Sequence, residues 1–148
     1  MKLLDSTFLI DLLKNKKEVH GKLDELENER ALFISSISVY ELALGIQLDK
    51  NLNHVKKFSE FLKFIAAFEV LNLDVDSAII AGKLKGDLIR KGKEIDTRDC
   101  LIAGTALTNK IDTIITRNKK HFERVKGLKV ESYWKQKLNL SHNTIDLN

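Results

Sequence analysis

The 148-residue sequence predicts a single α/β domain, a twisted parallel sheet of four to five strands with helices on both faces. Three observations carry that prediction. Short apolar or β-branched runs alternate along the chain with longer segments whose apolar residues recur at three and four positions. Several short runs are continuously apolar, as strands buried on both faces are, and stop abruptly at a polar residue. Nothing divides the chain, which has no proline, no internal repeat and no low-complexity linker.

Residues 1–4 form the first strand. Asp5 ends it, and Ser6 and Thr7 lead into a helix with Phe8, Leu9, Ile10, Leu12 and Leu13 on its apolar face. The positive charge of LKNKK (13–17) suits that helix's C-terminus. A charge-rich helix is expected over 23–30, and ALFISSI (31–37) reads as the second strand. Ser38 and Glu41 form an S-x-x-E capping box opening the helix VYELALGI. Over 52–68, the spacing of Val55, Phe58, Phe61, Leu62, Ile65 and Phe68 marks an amphipathic helix, its aromatics serving core or interface. FEVLNL (68–73) alternates as a third strand. Asp76 is the expected cap of SAIIAGKLKGDLIRKG, which stops on Arg90, Lys91 and Gly92. Thr97 is the expected cap of a helix whose small and apolar face, Cys100, Leu101, Ala103, Gly104 and Leu107, can pack closely on a sheet. DTIIT (112–116) is a β-branched fourth strand, and 128–130 a short fifth. Residues 1–135 make the domain, and 136–148 a polar tail.

Hydrophobic residues are 43% and charged residues 31%, a globular rather than a disordered composition. No apolar run approaches the ~20 residues of a membrane helix, so no membrane association is expected. No secretory signal is visible, and Cys100 is the one cysteine; a cytoplasmic location is expected. Twenty-five Lys and Arg against 21 Asp and Glu give +4 and a pI near 9.1. That slightly favours polyanionic partners, although surplus surface lysine explains it equally well.

In an open α/β sheet, ligands sit past the carboxyl ends of the strands. Placing each polar residue on its element brings Asp5, Glu41 and Asp99 to that edge, with Thr7, Thr116 and Asn118 beside them. Each acid also has a plainer role. Glu41 can close the capping box, and Asp99, in a first helical turn, is favoured there by the helix dipole. Spacing alone leaves both roles open. Three adjacent carboxylates repel one another unless a cation sits among them, and hard divalent cations prefer oxygen ligands. Such an ion can ionise a water and stabilise charge on a phosphate oxygen. Phosphodiester hydrolysis is the natural reaction, and Arg117, Lys119, Lys120 and Arg124 lie beside the edge to hold a nucleic-acid backbone.

The blocks MKLLDSTFLID, SVYELALGI, IDTRDCLIAGTAL and TIITRNKKHF, in this order over roughly residues 2–134, resemble the PIN domain, and more narrowly the VapC-type toxins of toxin–antitoxin systems. The resemblance implies a Mg2+- or Mn2+-dependent endoribonuclease whose catalytic and metal-binding acids are Asp5, Glu41 and Asp99. The family often has a fourth acid after the fourth strand. Asn118 stands there in this chain, offering an oxygen without charge. Thr116 matches the hydroxyl residue before it, Thr7 is a hydrogen-bond donor to the first acid or a metal water, and Asp96 is a partial substitute for the missing acid. The implied partners are RNA, a second copy in a homodimer, and a small antitoxin. The antitoxin lays an apolar helix in a groove and often sends an Arg or Lys into the acidic pocket. The stretch from Val55 to Phe68 is a candidate surface for it. Cys100 reads as a packing residue, and His121 as a surface or helix residue.

Two other classes fit less well. Aspartyl-phosphate phosphatases usually carry a second Asp two positions after the first, where this chain has Thr7. A catalytically weak RNA-binding or scaffold domain needs no acids at one edge, and the chain keeps all three.

Overall fold

The computed structural model describes residues 1–51 and 53–134. Strands β1 (Lys2–Leu4), β2 (Leu32–Ser35), β3 (Glu69–Leu71), β4 (Thr113–Ile115) and β5 (Lys129–Glu131) form one parallel sheet in the order β3-β2-β1-β4-β5. The helices are α1 (Ser6–Leu13), α2 (Lys17–Leu26), α3 (Ser36–Leu48), α4 (His54–Ile65), α5 (Val75–Arg90), α6 (Thr97–Thr108) and α7 (Lys119–Phe122). The chain lays β2 and β3 on one side of β1, then crosses to lay β4 and β5 on the other. At that reversal the connections part and leave a crevice at the carboxyl end of β1. Asp5 is the first residue past it.

Successive strand side chains point to opposite faces. Leu3 and Ile114 pack on one face with Leu88, Ile102, Ala103, Ala106 and Phe122, from α5, α6 and α7. Leu4, Ile34 and Ile115 pack on the other with Phe8, Leu9, Val19, Leu26, Leu42 and Phe61, from α1 to α4. The small residues of α6 serve a near backbone contact: a Cβ at Gly104 would stand 2.6 Å from the Ser77 carbonyl oxygen and 2.8 Å from the Ala81 Cβ. Helix α5 stops at Gly92, whose φ of 64° suits glycine, with the Lys93 amide closing onto the Leu88 carbonyl. Among the described residues, no helix is long and apolar enough to cross a membrane.

Three helix starts differ from the sequence expectation. Helix α3 is capped by Ser35, whose Oγ accepts the Ser38 amide at 3.0 Å, so Ser38 lies inside the helix and Glu41 closes no capping box. Helix α5 is capped by Asp74 rather than Asp76, accepting the Ser77 amide at 2.8 Å. Asp96, not Thr97, caps α6 and accepts the Arg98 amide at 2.8 Å. In each case the first capable side chain takes the cap, because the extended segment ends sooner than its residue pattern does. Helix α2 also lies earlier than 23–30, since Val19 and Leu26, two turns apart, supply its buried face. Leu52 and the tail at 136–148, with its boundary at 135, lie outside the described residues.

Candidate active site

Asp5 holds the N-cap position of α1, yet its carboxylate caps no amide. It accepts instead from two threonine hydroxyls, Thr116 Oγ1 at 2.7 Å and Thr7 Oγ1 at 2.9 Å, both on Oδ2. Each hydroxyl is itself oriented from behind. The Asn118 amide donates to Thr116 at 2.8 Å and the Arg117 amide to Thr7 at 3.0 Å. With an amide donating to each from behind, both threonines turn a proton toward Asp5. The turn after β4 thus grips the acid that follows β1. Asp5 is only 1% exposed. Burial pushes its pKa up, and the bonds from Thr116 and Thr7 pull against that rise.

Helix α3 carries Glu41 to the same crevice. Ser6 Oγ lies 3.4 Å from Asp5 Oδ1 and 3.2 Å from Glu41 Oε1. One hydroxyl proton faces two carboxylates, so one contact is always without a donor when both are ionised. Asp99, in the first turn of α6, is buried, and His121 Nδ1 approaches its Oδ2 to 2.5 Å. Burial and then the charge of Asp5 raise the pKa of Glu41, with a further push from Asp99. Burial raises that of Asp99; the His121 bond opposes it, and Asp5 adds to it. The three acids therefore stand near enough, at one edge of the sheet, for each charge to work against the next.

The remaining expected residues divide. Thr7 and Thr116 hold Asp5. Asn118 acts there through its amide, while its side chain lies 3.5 Å from His121 Nδ1. The carboxylate of Asp96 is taken up by the Arg98 amide and guanidinium. Arg117, expected at the nucleic acid, has its guanidinium on fully buried Asp11 at 3.0 Å and over the Trp134 ring. Lys119 pairs with Glu123 at 3.3 Å, and Lys120 has no carboxylate at ion-pair distance among the described residues.

Three residues at the site escaped the sequence reading. Ser6 bridges two acids and was visible only as the neighbour of Asp5. Arg98 is half-exposed, with Nη1 3.6 Å from Glu41 Oε2. Among the described residues it is the one arginine or lysine paired with any of the three acids. His121 stands one turn after Asn118 on α7, and that i, i+3 spacing was the available signal.

Among the described residues, no three His, Cys, Asp or Glu side chains are grouped closely enough to coordinate one ion. The donor set is nonetheless all oxygen and strongly anionic. It fits a hard dication that takes one or two carboxylates and fills its remaining positions with water, as magnesium does. Asp5 Oδ1, which competes with Glu41 for the Ser6 proton, and Asp99 Oδ1, the oxygen that His121 does not engage, would be its carboxylate ligands.

Comparison with known proteins identifies the family. The PIN domain family model matches residues 2–128. The tRNA(fMet)-specific endonuclease VapC of Salmonella typhimurium is 33% identical over 131 residues, which cover 88% of this chain and 96% of that relative. Ribonuclease VapC1 of Methanocaldococcus jannaschii is 35% identical over 130 residues, covering 86% and 85%. Among solved structures, DNA-bound VapBC from Salmonella typhimurium superposes with a TM-score of 0.76 at 30% identity, covering 90% of this chain and 98% of that one. VapBC2 from Rickettsia felis, bound to a promoter DNA fragment, gives 0.78 at 26% identity, with the same coverage. By sequence, sheet order and the carboxylates at its switch point, the chain belongs to the PIN-domain family, on its VapC branch.

Proposed function

We propose that this protein is the toxin of a toxin–antitoxin pair, an endoribonuclease that hydrolyses RNA phosphodiesters with Mg2+ or Mn2+ at Asp5, Asp99 and Glu41. The observation that carries the reading is the gathering of these three largely buried carboxylates at one sheet edge, Ser6 lying between Asp5 and Glu41, with one arginine paired to them among the described residues. Bound there, a hard dication would offset that charge, and the chemistry it would supply is a more acidic water and stabilised charge on a phosphate oxygen. The chain's own residues prepare the place. Thr7 and Thr116 fix the rotamer of Asp5, His121 fixes Asp99, and Ser6 ties Glu41 to Asp5. Arg98, at the rim, is placed to meet a phosphate.

The antitoxin is proposed to lie in the groove between α1, α3 and α4. Its volume is about 430 Å³, and Ile10, Leu13, Leu42, Ile46 and Phe61 line it together with Glu41. A helix laid along those residues has the acids at one end, within reach of a cation it carries. Val55 and Leu62 of α4 are exposed nearby, whereas Phe58, Phe64 and Phe68 pack toward the core. A homodimer is proposed with this reading and is checked by light scattering.

The test is cleavage of purified RNA with Mg2+ or Mn2+ by the wild type and by Asp5→Asn and Asp99→Asn. Both variants should stay folded and lose cleavage. Full-rate cleavage by either, or by the wild type in EDTA, ends the assignment. RNA that is bound but never cut leaves the scaffold reading.

A further inference from the structure

We propose that the hollow between the C-terminal end of α5 and α7 is a second RNA-backbone subsite, holding phosphates of the strand on one side of the acidic pocket. This rests on the endoribonuclease reading and adds the direction in which the substrate runs. The hollow, about 390 Å³, is lined by Lys91, Lys93, Lys120 and Arg124 with Glu123 and Leu88. Four cations share one concave surface. Among the described residues, Lys91, Lys93 and Lys120 have no carboxylate at ion-pair distance, and Arg124 donates one N–H to the Glu94 carbonyl at 3.0 Å. The carboxylates nearest in the chain are already engaged. Glu123 pairs with Lys119 at 3.3 Å, and Glu94 with Lys85 at 2.7 Å. The surplus positive charge is left facing water, which suits a polyanion that releases its counterions on binding.

Chain adjacency links the hollow to a depression that reaches the acids through His121. A second depression is lined by Lys85, Glu94, Ile95, Asp96, Thr97 and His121. Lys93 and Glu94 are chain neighbours, as are Lys120 and His121, so the two depressions adjoin along two segments of chain. His121 in turn touches Asp99. A strand with its scissile phosphate at the acids can therefore pass over His121 into the basic hollow. On the opposite side, Glu41 opens onto the apolar groove, where Lys14 and Lys57 are accompanied by Asp49 and Glu60. Among the described residues no aromatic ring lines the basic hollow, so its contacts are to phosphate and sugar, and they position the strand without reading its sequence.

The experiment compares the full-length wild type with the Lys91→Gln/Lys93→Gln double variant. Binding is followed in EDTA by anisotropy of a labelled 12-nucleotide RNA at several salt concentrations. Cleavage is followed with Mg2+ on that RNA and on a 4-nucleotide RNA. Unchanged melting temperatures show that the variant is folded, and Lys56→Gln/Lys63→Gln on α4 is the charge-matched control. The expected result is about a tenfold weaker Kd for the long RNA and a log Kd–log salt slope shallower by about 1.4, near 0.7 for each lost phosphate contact. The ratio of kcat/KM for long over short RNA should fall by a similar factor. Equal losses on both RNAs, an unchanged slope, or an equal loss in the control overturns the subsite. If the wild type binds RNA with the predicted slope change but cuts nothing, the nuclease reading fails and the subsite stands. If it cuts and the double variant behaves as wild type, only the subsite fails.

Discussion

Replacing Glu41 with Gln should stabilise the metal-free protein while removing its activity. Gln keeps an oxygen to accept from Ser6 and removes one negative charge. Asp5 Oδ1 and Glu41 Oε1 are at most about 6.6 Å apart, the 3.4 Å and 3.2 Å legs through Ser6 Oγ laid end to end. At an effective dielectric constant of about 20, two unit charges at that distance repel by ~2.5 kcal/mol. The variant also loses the attraction of half-exposed Arg98, worth under ~1 kcal/mol at such a site. The net gain is about 1.5–2.5 kcal/mol in EDTA at pH 8, read as a higher urea midpoint with an unchanged m-value. Saturating Mg2+ should stabilise the wild type by mass action and the variant less, closing or reversing the gap. Cleavage should fall by about a hundredfold or more, a loss of ~3 kcal/mol of transition-state stabilisation. A loss of stability beyond ~1 kcal/mol in EDTA would show that the carboxylates are not crowded, and would refute the reasoning for a metal at this place.

Three further outcomes follow from the same geometry. Burial and then the Asp5 charge lift Glu41, so repulsion in the wild type is relieved as pH falls through that raised pKa toward the ordinary range near ~4.3. The stability gain of Glu41→Gln in EDTA should accordingly shrink from pH 8 to pH 5; a gain that grows as pH falls contradicts the sign. Gly104→Ala sets a methyl group 2.6 Å from a backbone oxygen of α5 and should cost about 1–3 kcal/mol in a urea titration. Asp11→Ala removes the acceptor of the Tyr133 hydroxyl at 2.8 Å and the partner of Lys16 and Arg117. Both cations keep access to water, so a loss of about 2–4 kcal/mol in a thermal melt is expected, more than for Arg117→Met.

The existence of the strands and their parallel sheet were legible because such a sheet needs continuous apolar runs, whereas the order β3-β2-β1-β4-β5 was not read from them. Leu3–Leu4 and Ile114–Ile115 serve both faces at once. The placement of the acids was legible because Asp5 stands just past β1, Glu41 in an early turn of the helix leaving β2, and Asp99 in the first turn of α6. Helix starts were not, since Ser35, Asp74 and Asp96 each stand next to an equally good cap, and only the exact end of the extended segment chooses between them. The partners of the acids were hidden for another reason. His121 and Asp99 are 22 positions apart, and Thr116 and Asp5 are 111 apart. Those pairings exist only once β4 lies beside β1. Arg117 shows the reverse case: its charge suggested a nucleic-acid contact, and nothing in the sequence signalled its ion pair with buried Asp11, unremarkable within an apolar helix.

The placement of charge around the acids gives the site two approaches of different character. Glu41 belongs to the wall of an apolar groove, whereas Asp99, through His121, borders a depression leading to unpaired lysines. A helix seated in the groove and a strand seated in the basic hollow cover separate surfaces and compete only over the acids between them. An antitoxin that leaves its groove-binding residues intact but loses the cation reaching the acids should therefore still bind while no longer excluding the strand. Blocking would then rest on a single charged contact, and the bulk of the antitoxin's binding energy would come from apolar area that never meets the substrate. This division follows from the sheet: β1 ends between connections leaving toward both faces, so the pocket at its tip is walled by α1 and α3 on one side and by α6 and α7 on the other.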